Sequence, residues 1–322
     1  MSTKGRLRLL LGVATAAALL TSATSAVAAP ALESSGAGGK VFAWGNDEYG
    51  EVSKIPQELG SGVTALAAGS YHNGFALKRG RLHVWGNDDY GQVSKVPQEL
   101  KDGGVDAVAA AGATGLALKR GKLHAWGYDE SGEVSKVPQT LKDGGVTAVV
   151  GGYGTGYAIK NGKVHAWGDD EFGQVTKIPQ TLKDGGVSAV AAGTKTGYAI
   201  KNGKVYAWGN DEYGQVTKLP QELGSGVTAV TGGYGTGYAV KNGKLHAWGD
   251  DQYGQISSIP QTLRSGGVSA IAAGFDNGYA VKHGKAYAWG FDDFGQVSTV
   301  PRELGSCVVA IAAGGFTGYA LR

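Results

Sequence analysis

The chain has 322 residues, of which 57 are glycine, and a formal net charge of +3. Charged residues make up only 18% of the chain, which argues against wholesale disorder, and the near-neutral charge argues against a nucleic-acid-binding protein, for which a strong basic excess is typical. The single cysteine excludes a disulfide framework and a zinc site built from cysteines.

Residues 1–28 have the three parts of a secretory signal peptide. The segment starts with three basic residues, Lys4, Arg6 and Arg8. An apolar stretch from Leu9 to Leu20 follows, and Ala26-Val27-Ala28 has the small residues of a cleavage site. The apolar stretch is too short to span a membrane core of about 30 Å. We therefore expect a secreted, extracellular protein with no membrane anchor.

Removal of that signal changes the charge balance. The three basic residues leave with it, so that 27 basic and 27 acidic residues remain and the net charge becomes zero. Residues 29–39 are mostly small, and we expect a flexible lead-in there.

The tryptophans mark a repeat. They are spaced by 41 residues, with one interval of 40, and they are Trp44, Trp85, Trp126, Trp167, Trp208, Trp248 and Trp289. A proline stands twelve residues after each of them, at Pro56, Pro97, Pro138, Pro179, Pro220, Pro260 and Pro301. A constant period near 40 residues predicts a propeller or a solenoid of repeated units.

One unit, residues 146–180, shows the expected elements. A β-branched run that begins at Val146 is the first predicted strand, and Tyr157–Lys160 is the second. Asn161-Gly162 predicts a two-residue hairpin, because both positions of that turn require a positive φ. Lys163–Trp167 is the third predicted strand, with alternate side chains on opposite faces.

The end of the unit predicts a fourth, outer strand. Val175–Ile178 is extended in character and is stopped by Pro179, and an edge strand tolerates the missing N–H of proline. Four short strands in each of seven units predict an all-β fold, a seven-bladed β-propeller over residues 40–322. We expect the third-strand segment at Lys40–Trp44 to complete one blade with the strand that ends at Arg322, which closes the ring.

The alternation of antiparallel strands assigns the loops to two faces. The loops after the first and third strands must lie on one face, and the hairpins and the crossovers to the next unit on the other. The loops after the tryptophans are acidic in every unit, as at Asp169, Asp170 and Asp211, whereas the hairpins are basic, as at Lys160 and Lys163. We therefore predict a neutral ring with one acidic and one basic face, which would steer a partner.

Aromatic residues distinguish two sets of loops on the acidic face. The loops after the first strands are irregular and carry Tyr71, His72, Tyr153, Tyr234, Phe275 and Phe316. The loops after the third strands carry a recurring aromatic, at Tyr49, Tyr90, Phe172, Tyr213, Tyr253 and Phe294. We interpret the recurring set as packing between blades, and the irregular set as a protein-binding surface, for which exposed aromatics are typical.

Nothing in the sequence predicts an enzyme or a bound cofactor. Four strand histidines, His83, His124, His165 and His246, are replaced by aromatics in sister units, which indicates a packing position rather than a metal ligand. The acidic loops lack the alternating ligands of a calcium hand, although calcium binding stays open. No nucleophile elbow or phosphate-binding loop is present. Cys307 replaces a glycine of sister units and is interpreted as drift.

The repeat itself resembles a known family. The chain is similar to the regulator-of-chromosome-condensation repeat at Ala67-Ala-Gly-Ser-Tyr-His72, Ala76-Leu77 and Val84-Trp-Gly-Asn-Asp-Asp-Tyr-Gly-Gln92. From Trp248 to Val268 it resembles the secreted, propeller-type β-lactamase inhibitory proteins of type II within that family. The resemblance covers residues 40–322 and includes the repeat length, the sevenfold count and the export signal.

That resemblance implies a non-enzymatic inhibitor that caps the active-site rim of a class A β-lactamase with the loops of one propeller face. The residues that match the binding site are Tyr71, His72, Tyr153, Tyr234, Phe275, Phe316, Asp169, Asp170 and Asp211. Two loops depart from the pattern because Gly112–Thr114 and Thr194–Thr196 carry no bulky aromatic. Each lost aromatic anchor is worth about 2 kcal/mol of binding or more.

Two other functions stay open. The near-identical acidic loops suit a multivalent lectin or cell-wall-binding propeller, because repeated equal sites favour multivalent glycan capture. A nucleotide-exchange factor on chromatin follows only from the broad repeat family, and the export signal contradicts it. We expect a monomer that binds a protein partner, with a glycan as the alternative.

Overall fold

The computed structural model describes residues 22–23 and 38–322, and in this part of the chain the repeat forms seven antiparallel sheets arranged as blades. The prediction of an all-β, seven-bladed propeller is confirmed. The predicted signal peptide and lead-in lie outside the described residues, apart from residues 22–23 and 38–39. Ser22–Ala23 form a two-residue strand that pairs in parallel with Ile271 and Ala272.

The repeat gives each blade three strands, and Ser22–Ala23 adds a fourth to the sheet of the sixth blade. We number the blades 1 to 7 from the first strand after residue 60. The first strands are Val63–Gly69, Val105–Ala111, Val146–Gly151, Val187–Ala192, Val227–Gly232, Val268–Ala273 and Ala310–Ala313. The second strands are Asn73–Lys78, Thr114–Lys119, Thr155–Lys160, Thr196–Lys201, Thr236–Lys241, Asn277–Lys282 and Thr317–Leu321. The third strands are Arg81–Gly86, Lys122–Gly127, Lys163–Gly168, Lys204–Gly209, Lys244–Gly249, Lys285–Gly290 and, for blade 7, Val41–Gly45.

The predicted fourth strand is wrong. Val175, Thr176 and Lys177 lie in turns, because the Asp170 carboxylate accepts the N–H groups of Val175 and Thr176 and the Lys177 N–H donates to Gly173 O. These N–H groups are satisfied locally and are not offered to a sheet ladder. The prediction that the recurring proline stops an edge strand is therefore also wrong.

The recurring proline instead precedes a single helical turn. Pro179 is the residue before the first helical one, with φ −51° and ψ 130°, and its missing N–H removes no hydrogen bond of the helical turn. The turns are α-helical at Gln98–Lys101, Gln139–Lys142, Gln180–Lys183 and Gln261–Arg264, and 3₁₀-helical at Gln57–Gly60, Gln221–Gly224 and Arg302–Gly305. Each turn buries one leucine completely or nearly so, such as Leu182 at 0% exposure, so that the turn covers the edge of the packed blades.

The two ends of the described chain close the ring. Val41–Gly45 pairs antiparallel with Thr317–Leu321, and the Lys40 N–H donates to Arg322 O over 2.8 Å. The first strand of each blade contacts the first strands of its two neighbours, and Ala310–Ala313 contacts Val63–Gly69 in the same way. The first strands are thus the innermost ones, and the predicted closure by the two terminal strands is confirmed.

The recurring tryptophan joins each blade to the one before it. The Trp208 Nε1–H donates to Gln174 O over 2.8 Å, and its ring packs edge-on against Tyr157 with 5.6 Å between the ring centroids. Within its own blade the ring lies against Gly197, where a Cβ would approach it to 2.3 Å. The repeat therefore needs both the tryptophan and a glycine opposite it, since the indole occupies the space of a side chain.

Two turns show why the repeat uses glycine and asparagine. Asn161 and Gly162 have φ values of 54° and 70°, as the predicted hairpin requires. Cys307 is exposed and has a φ of 60°, close to the 71° and 69° of Gly62 and Gly226 at the same position of sister units. The substitution of glycine by cysteine thus places a side chain in a backbone conformation that disfavours side chains.

No helix in the described residues is long and apolar enough to cross a membrane.

Candidate functional site

Two sets of loops form one face of the ring, as the strand alternation predicts. The inner loops join the first and second strands, and the outer loops follow the third strands. They lie side by side, because the Asp169 N–H donates to Gly154 O over 2.8 Å and the Asn87 N–H donates to His72 O over 2.9 Å. We call this surface the loop face. The hairpins and the helical turns lie on the opposite face, where Val187 N donates to Gly162 O.

An aspartate organises every outer loop. Its Oδ1 accepts the backbone N–H groups five and six residues later, and the seven residues are Asp47, Asp88, Asp129, Asp170, Asp211, Asp251 and Asp292. Desolvation raises the pKa of Asp170, but the hydrogen bonds from Thr176 and Val175 outweigh it and hold that pKa below its usual value, with help from Lys177. The recurring acid is therefore a structural feature of the loop.

The predicted site aspartates are already engaged within their own loops. Asp170 and Asp211 hold the two backbone N–H groups described above. Asp169 accepts the Glu171 N–H and the Gln174 side-chain amide. All three are only partly exposed, so their role as partner contacts stays a prediction. In six of the seven outer loops a basic residue near the aspartate also lowers its pKa, and the positive charge of that residue partly offsets the negative charge of the loop.

The structure brings Tyr71 and Tyr153 together from blades 1 and 3. Their hydroxyl groups are hydrogen bonded, and their ring centroids are 5.3 Å apart. The inner loop of blade 2 lies between them and has Gly112 and Ala113 in place of an aromatic, which leaves room for this contact. Desolvation, together with the bond to Tyr153, raises the pKa of Tyr71 to about 12. The inner loop of blade 2, which carries no aromatic, therefore permits an aromatic contact between blades 1 and 3.

Two outer-loop tyrosines extend that pair. Tyr90 lies 6.3 Å from Tyr71 and 4.7 Å from Tyr128, measured between ring centroids. We call Tyr71, Tyr90, Tyr128 and Tyr153 the tyrosine cluster.

A second group of aromatics lies on the other side of the ring axis. Phe275 and Phe316, both predicted site residues, have ring centroids 5.3 Å apart. Phe294 lies 5.3 Å and Phe291 5.9 Å from Phe316, and Tyr253 lies 5.2 Å from Phe291. We call these five residues the phenylalanine cluster.

A central depression separates the two clusters. Its volume is about 460 Å³, and its lining consists of Tyr153, Thr194, Lys195, Tyr234, Phe275 and Asp276. Tyr234 is 47% exposed and lies 6.0 Å from Tyr213, and the Lys195 ammonium group is paired with Glu171. Desolvation and the charge of Asp250 raise the pKa of Asp276. Aromatic and charged groups thus meet at the centre of the loop face.

The His72 side chain contacts Glu51 and Tyr49 and is largely shielded from solvent. Its Nδ1 lies 2.5 Å from Oε1 of the fully buried Glu51, and its ring is 4.9 Å from that of Tyr49. The imidazole is only about one-fifth exposed. This contact gives His72 a structural role, and its prediction as a partner contact stays untested.

The interpretation of the outer-loop aromatics as packing between blades is wrong for three of them. Tyr90, Tyr253 and Phe294 are 41%, 45% and 46% exposed. Tyr90 packs edge-on against Tyr128, Tyr253 against Phe291 and Phe294 against Phe291, and each of the three keeps a large part of its ring in solvent. Tyr49, Phe172 and Tyr213 are half-buried.

Sequence reasoning missed Tyr128, Phe291, Glu133, Asp276 and Lys195. A signal for three of them was present, since Tyr128 and Phe291 stand where the other outer loops have Asn or Asp, and Glu133 stands where five loops have Gln. Where one unit differs from its sister units at a repeat position, the fold does not require the residue that this unit carries.

The strand histidines lie away from this site. His83, His124 and His246 pair with Glu58, Glu99 and Glu222 at 3.3, 3.2 and 3.5 Å. They are partly buried, and desolvation lowers the pKa of His165. Among the residues that the structure describes, no three His, Cys, Asp or Glu side chains converge as they would around a metal ion.

Comparison with known proteins gives one sequence match and several structural ones. Residues 63–92, which cover blade 1 and its outer loop, match the family described as the regulator of chromosome condensation (RCC1) repeat. No curated protein matches the chain.

Three solved structures superpose well. Prp20p from Saccharomyces cerevisiae, described with its binding to Gsp1p and histones, has a TM-score of 0.65 at 18% identity over 88% of this chain and 91% of its own. The yeast RCC1 protein Prp20 in complex with Kap60 has a TM-score of 0.69 at 18% identity over 99% and 96%. Human WBSCR16 has a TM-score of 0.69 at 18% identity over 88% and 98%. The chain therefore has the propeller fold of these structures, and its residues 63–92 match the RCC1 repeat.

Proposed function

We propose that this protein is a non-enzymatic, protein-binding propeller that uses its loop face. One observation carries the proposal. Five large hydrophobic side chains are strongly exposed among the described residues, and four of them, Tyr90, Tyr234, Tyr253 and Phe294, lie on the loop face. Such a concentration on one face is typical of an interaction surface.

The chemistry of the face suits a protein partner. Tyrosine and phenylalanine give large contact areas at a small cost in side-chain entropy, and they are enriched at the centres of interfaces. The central depression offers a recess for one partner side chain or loop, with the two aromatic clusters on either side. The similarity to Prp20, which is described with protein partners, supports the same class of function here.

We further propose that the partner is a class A β-lactamase and that the protein acts outside the cell. The support is the resemblance of the repeat to secreted inhibitory propellers, together with the signal-like residues 1–28. Tyr71, Tyr153, Tyr234, Phe275 and Phe316 are the residues that we expect to contact the enzyme.

The lectin alternative loses its main support. It depends on the near identity of the acidic outer loops, but the recurring aspartate accepts two backbone N–H groups in every one of them. The need to fold the loop explains the repetition without any ligand.

Titration of the purified protein against a panel of class A β-lactamases tests the specific proposal. We expect stoichiometric inhibition, weakened about tenfold or more by Tyr234→Ala or Phe275→Ala, because a central aromatic anchor is worth about 2 kcal/mol. Tyr287→Ala is the matched control, since Tyr287 lies on a third strand under Lys285 and away from the loop face. Absence of inhibition at roughly micromolar concentration would remove the β-lactamase from the proposal.

A second experiment separates a protein partner from a glycan. The immobilised protein is exposed to culture medium and, in parallel, to a glycan array. Retention of one protein by the wild type and by Tyr287→Ala, but not by Tyr234→Ala, supports the loop face as a protein-binding surface. Glycan binding with a stoichiometry above one, unaffected by Tyr234→Ala, would contradict it.

A further inference from the structure

The outer loop of blade 2 breaks a polar contact that four other blades keep. At the equivalent positions a glutamine side chain donates its amide to an Asn or Asp five residues earlier. The pairs are Gln92–Asn87, Gln174–Asp169, Gln215–Asn210 and Gln255–Asp250, at 3.1–3.3 Å. Blade 2 has Glu133 in place of the glutamine and Tyr128 in place of its partner. Both members of the pair are changed, so the carboxylate needs a different partner.

Glu133 has one satisfied and one free oxygen. Its Oε2 accepts the Ser131 N–H over 2.9 Å, whereas its Oε1 has no hydrogen-bond partner within the described chain, although the residue is only 1% exposed. Desolvation raises the pKa of this carboxyl group, opposed by backbone hydrogen bonds. A buried carboxylate oxygen without a hydrogen-bond partner lowers the stability of the fold. A ligand that donates a hydrogen bond to it would remove that cost.

Blade 7 shows how the same carboxylate is satisfied elsewhere. Glu51 occupies the equivalent position, and its Oε2 likewise accepts a backbone N–H, from Tyr49. Its Oε1 contacts the His72 imidazole at 2.5 Å. The chain therefore supplies a nitrogen group to Glu51 and leaves the corresponding place beside Glu133 open.

A pocket lies at that place. Its volume is about 80 Å³, and its lining includes Tyr71, Tyr128, Tyr153, Ser131, Glu133 and Asp169. A Cβ at Gly154 would lie 3.3 Å from Glu133 Oε1, so the glycine leaves the space in front of the carboxylate free. No lysine or arginine belongs to this lining. We call it the Glu133 pocket.

The lining selects one class of ligand. Tyrosine faces around a carboxylate attract an organic cation through the ring quadrupoles as well as through charge. Among the described residues, no three His, Cys, Asp or Glu side chains converge here as they would around a metal ion, which disfavours a hard cation such as Ca²⁺. A guanidinium group prefers a carboxylate with both oxygens free, whereas only one oxygen of Glu133 is available, which favours the compact ammonium group.

We propose that the Glu133 pocket binds an alkylammonium group. The group is either a lysine side chain of the protein partner or a free primary amine. Only the first source rests on the proposed function. The ammonium group hydrogen bonds to Glu133 Oε1, and its alkyl chain leaves the pocket between the tyrosine rings.

Amide NMR of the ¹⁵N-labelled protein, titrated with n-butylammonium chloride at constant ionic strength, tests the pocket without any partner. We expect saturable shifts at Ser131 and Gly154 that n-butanol does not produce. Glu133→Gln, which installs the residue of five sister blades, should weaken binding by roughly tenfold or more. Glu51→Gln is the matched control and should leave the titration unchanged, because it removes a carboxylate at the same position of another blade.

Two results would overturn the proposal: no saturable shift in the wild type, or the same titration in Glu133→Gln. Tyr128→Asn provides a second variant, since it restores the Asn of sister blades as a partner for Glu133 and should also weaken amine binding.

The partner experiment then identifies the source of the ammonium group. If n-butylammonium competes with the protein partner and Glu133→Gln weakens both, the ligand is a partner lysine; if partner binding is unchanged, the ligand is a free amine.

Discussion

At the scale of single residues, the buried tyrosines at one repeat position differ in whether the hydroxyl group has a hydrogen-bond partner. Tyr238 and Tyr279 occupy the same place in blades 5 and 6, and both are fully buried. The Tyr238 hydroxyl donates to Gln255 O over 3.0 Å, whereas the Tyr279 hydroxyl has no partner among the described residues. The same side chain should therefore contribute differently to stability in the two blades.

Tyrosine-to-phenylalanine variants test this difference. We expect Tyr238→Phe to lower the free energy of unfolding by about 1 kcal/mol, because it removes a buried hydrogen bond. Tyr279→Phe should be neutral or stabilising, since it removes a buried hydroxyl that has no partner. Urea unfolding followed by tryptophan fluorescence measures both. Equal losses in the two variants would show that the hydroxyl of Tyr279 is hydrogen bonded in solution.

At the scale of elements, the outer loop is the unit that the repeat preserves. A single aspartate folds it by accepting two backbone N–H groups, and the tryptophan of the next blade bonds to the carbonyl group at its end, as Trp208 does to Gln174. The loop thus links the loop face to the inter-blade core. This double role explains why the aspartate recurs. Because its carboxylate accepts the N–H groups of the residues that follow, as Asp170 does for Val175 and Thr176, those residues do not form a fourth strand.

The pKa values of these aspartates predict the response of the loops to acid. Their folded-state pKa values are lowered, so their contribution to stability is present above the unfolded pKa near 3.8 and is lost as the pH falls through the folded value. We expect unfolding free energy to drop below about pH 4. Asp170→Asn should have a lower free energy of unfolding than the wild type at neutral pH. This difference in unfolding free energy should become smaller in acid. Urea titrations across this range measure the difference; a constant difference would contradict the assignment.

At the scale of the whole molecule, ring closure depends on a strand far from its partners in sequence. Val41–Gly45 supplies the third strand of blade 7, and Trp44 donates to Gln296 O over 2.9 Å. Without this strand, the second strand of blade 7 would be an open edge and the ring would lose one inter-blade contact.

Two truncations test the closure. A variant of residues 38–322 keeps the three repeat strands of every blade, and we expect the cooperative thermal unfolding of the full chain. A variant of residues 46–322 lacks the closing strand and Trp44, and we expect it to lose cooperative unfolding or to self-associate. Circular dichroism and size-exclusion chromatography distinguish the two. Equal melting temperatures would show that the closing strand is dispensable.

The sequence predicted much of the candidate site, but not its contacts. Tyr71, Tyr153, Tyr234, Phe275 and Phe316 were identified because their loops vary while the repeat does not. Their arrangement was not predictable, since Tyr71 reaches Tyr153 across 82 residues and past the small inner loop of blade 2. Exposure of the outer-loop aromatics was also not predictable, because it depends on which neighbouring loops cover them.

By itself, the sequence determined the number of blades, the two faces and the closure of the ring. These follow from a period that recurs seven times, because each unit must bury the same tryptophan against the unit before it. Only the tertiary structure decided that the repeat gives each blade three strands, that Tyr90, Tyr253 and Phe294 are exposed, and that Glu133 is left with a free oxygen beside a pocket. The physical reason is that hydrogen-bond satisfaction and exposure depend on contacts between blades, whereas the repeat period is a property of each unit.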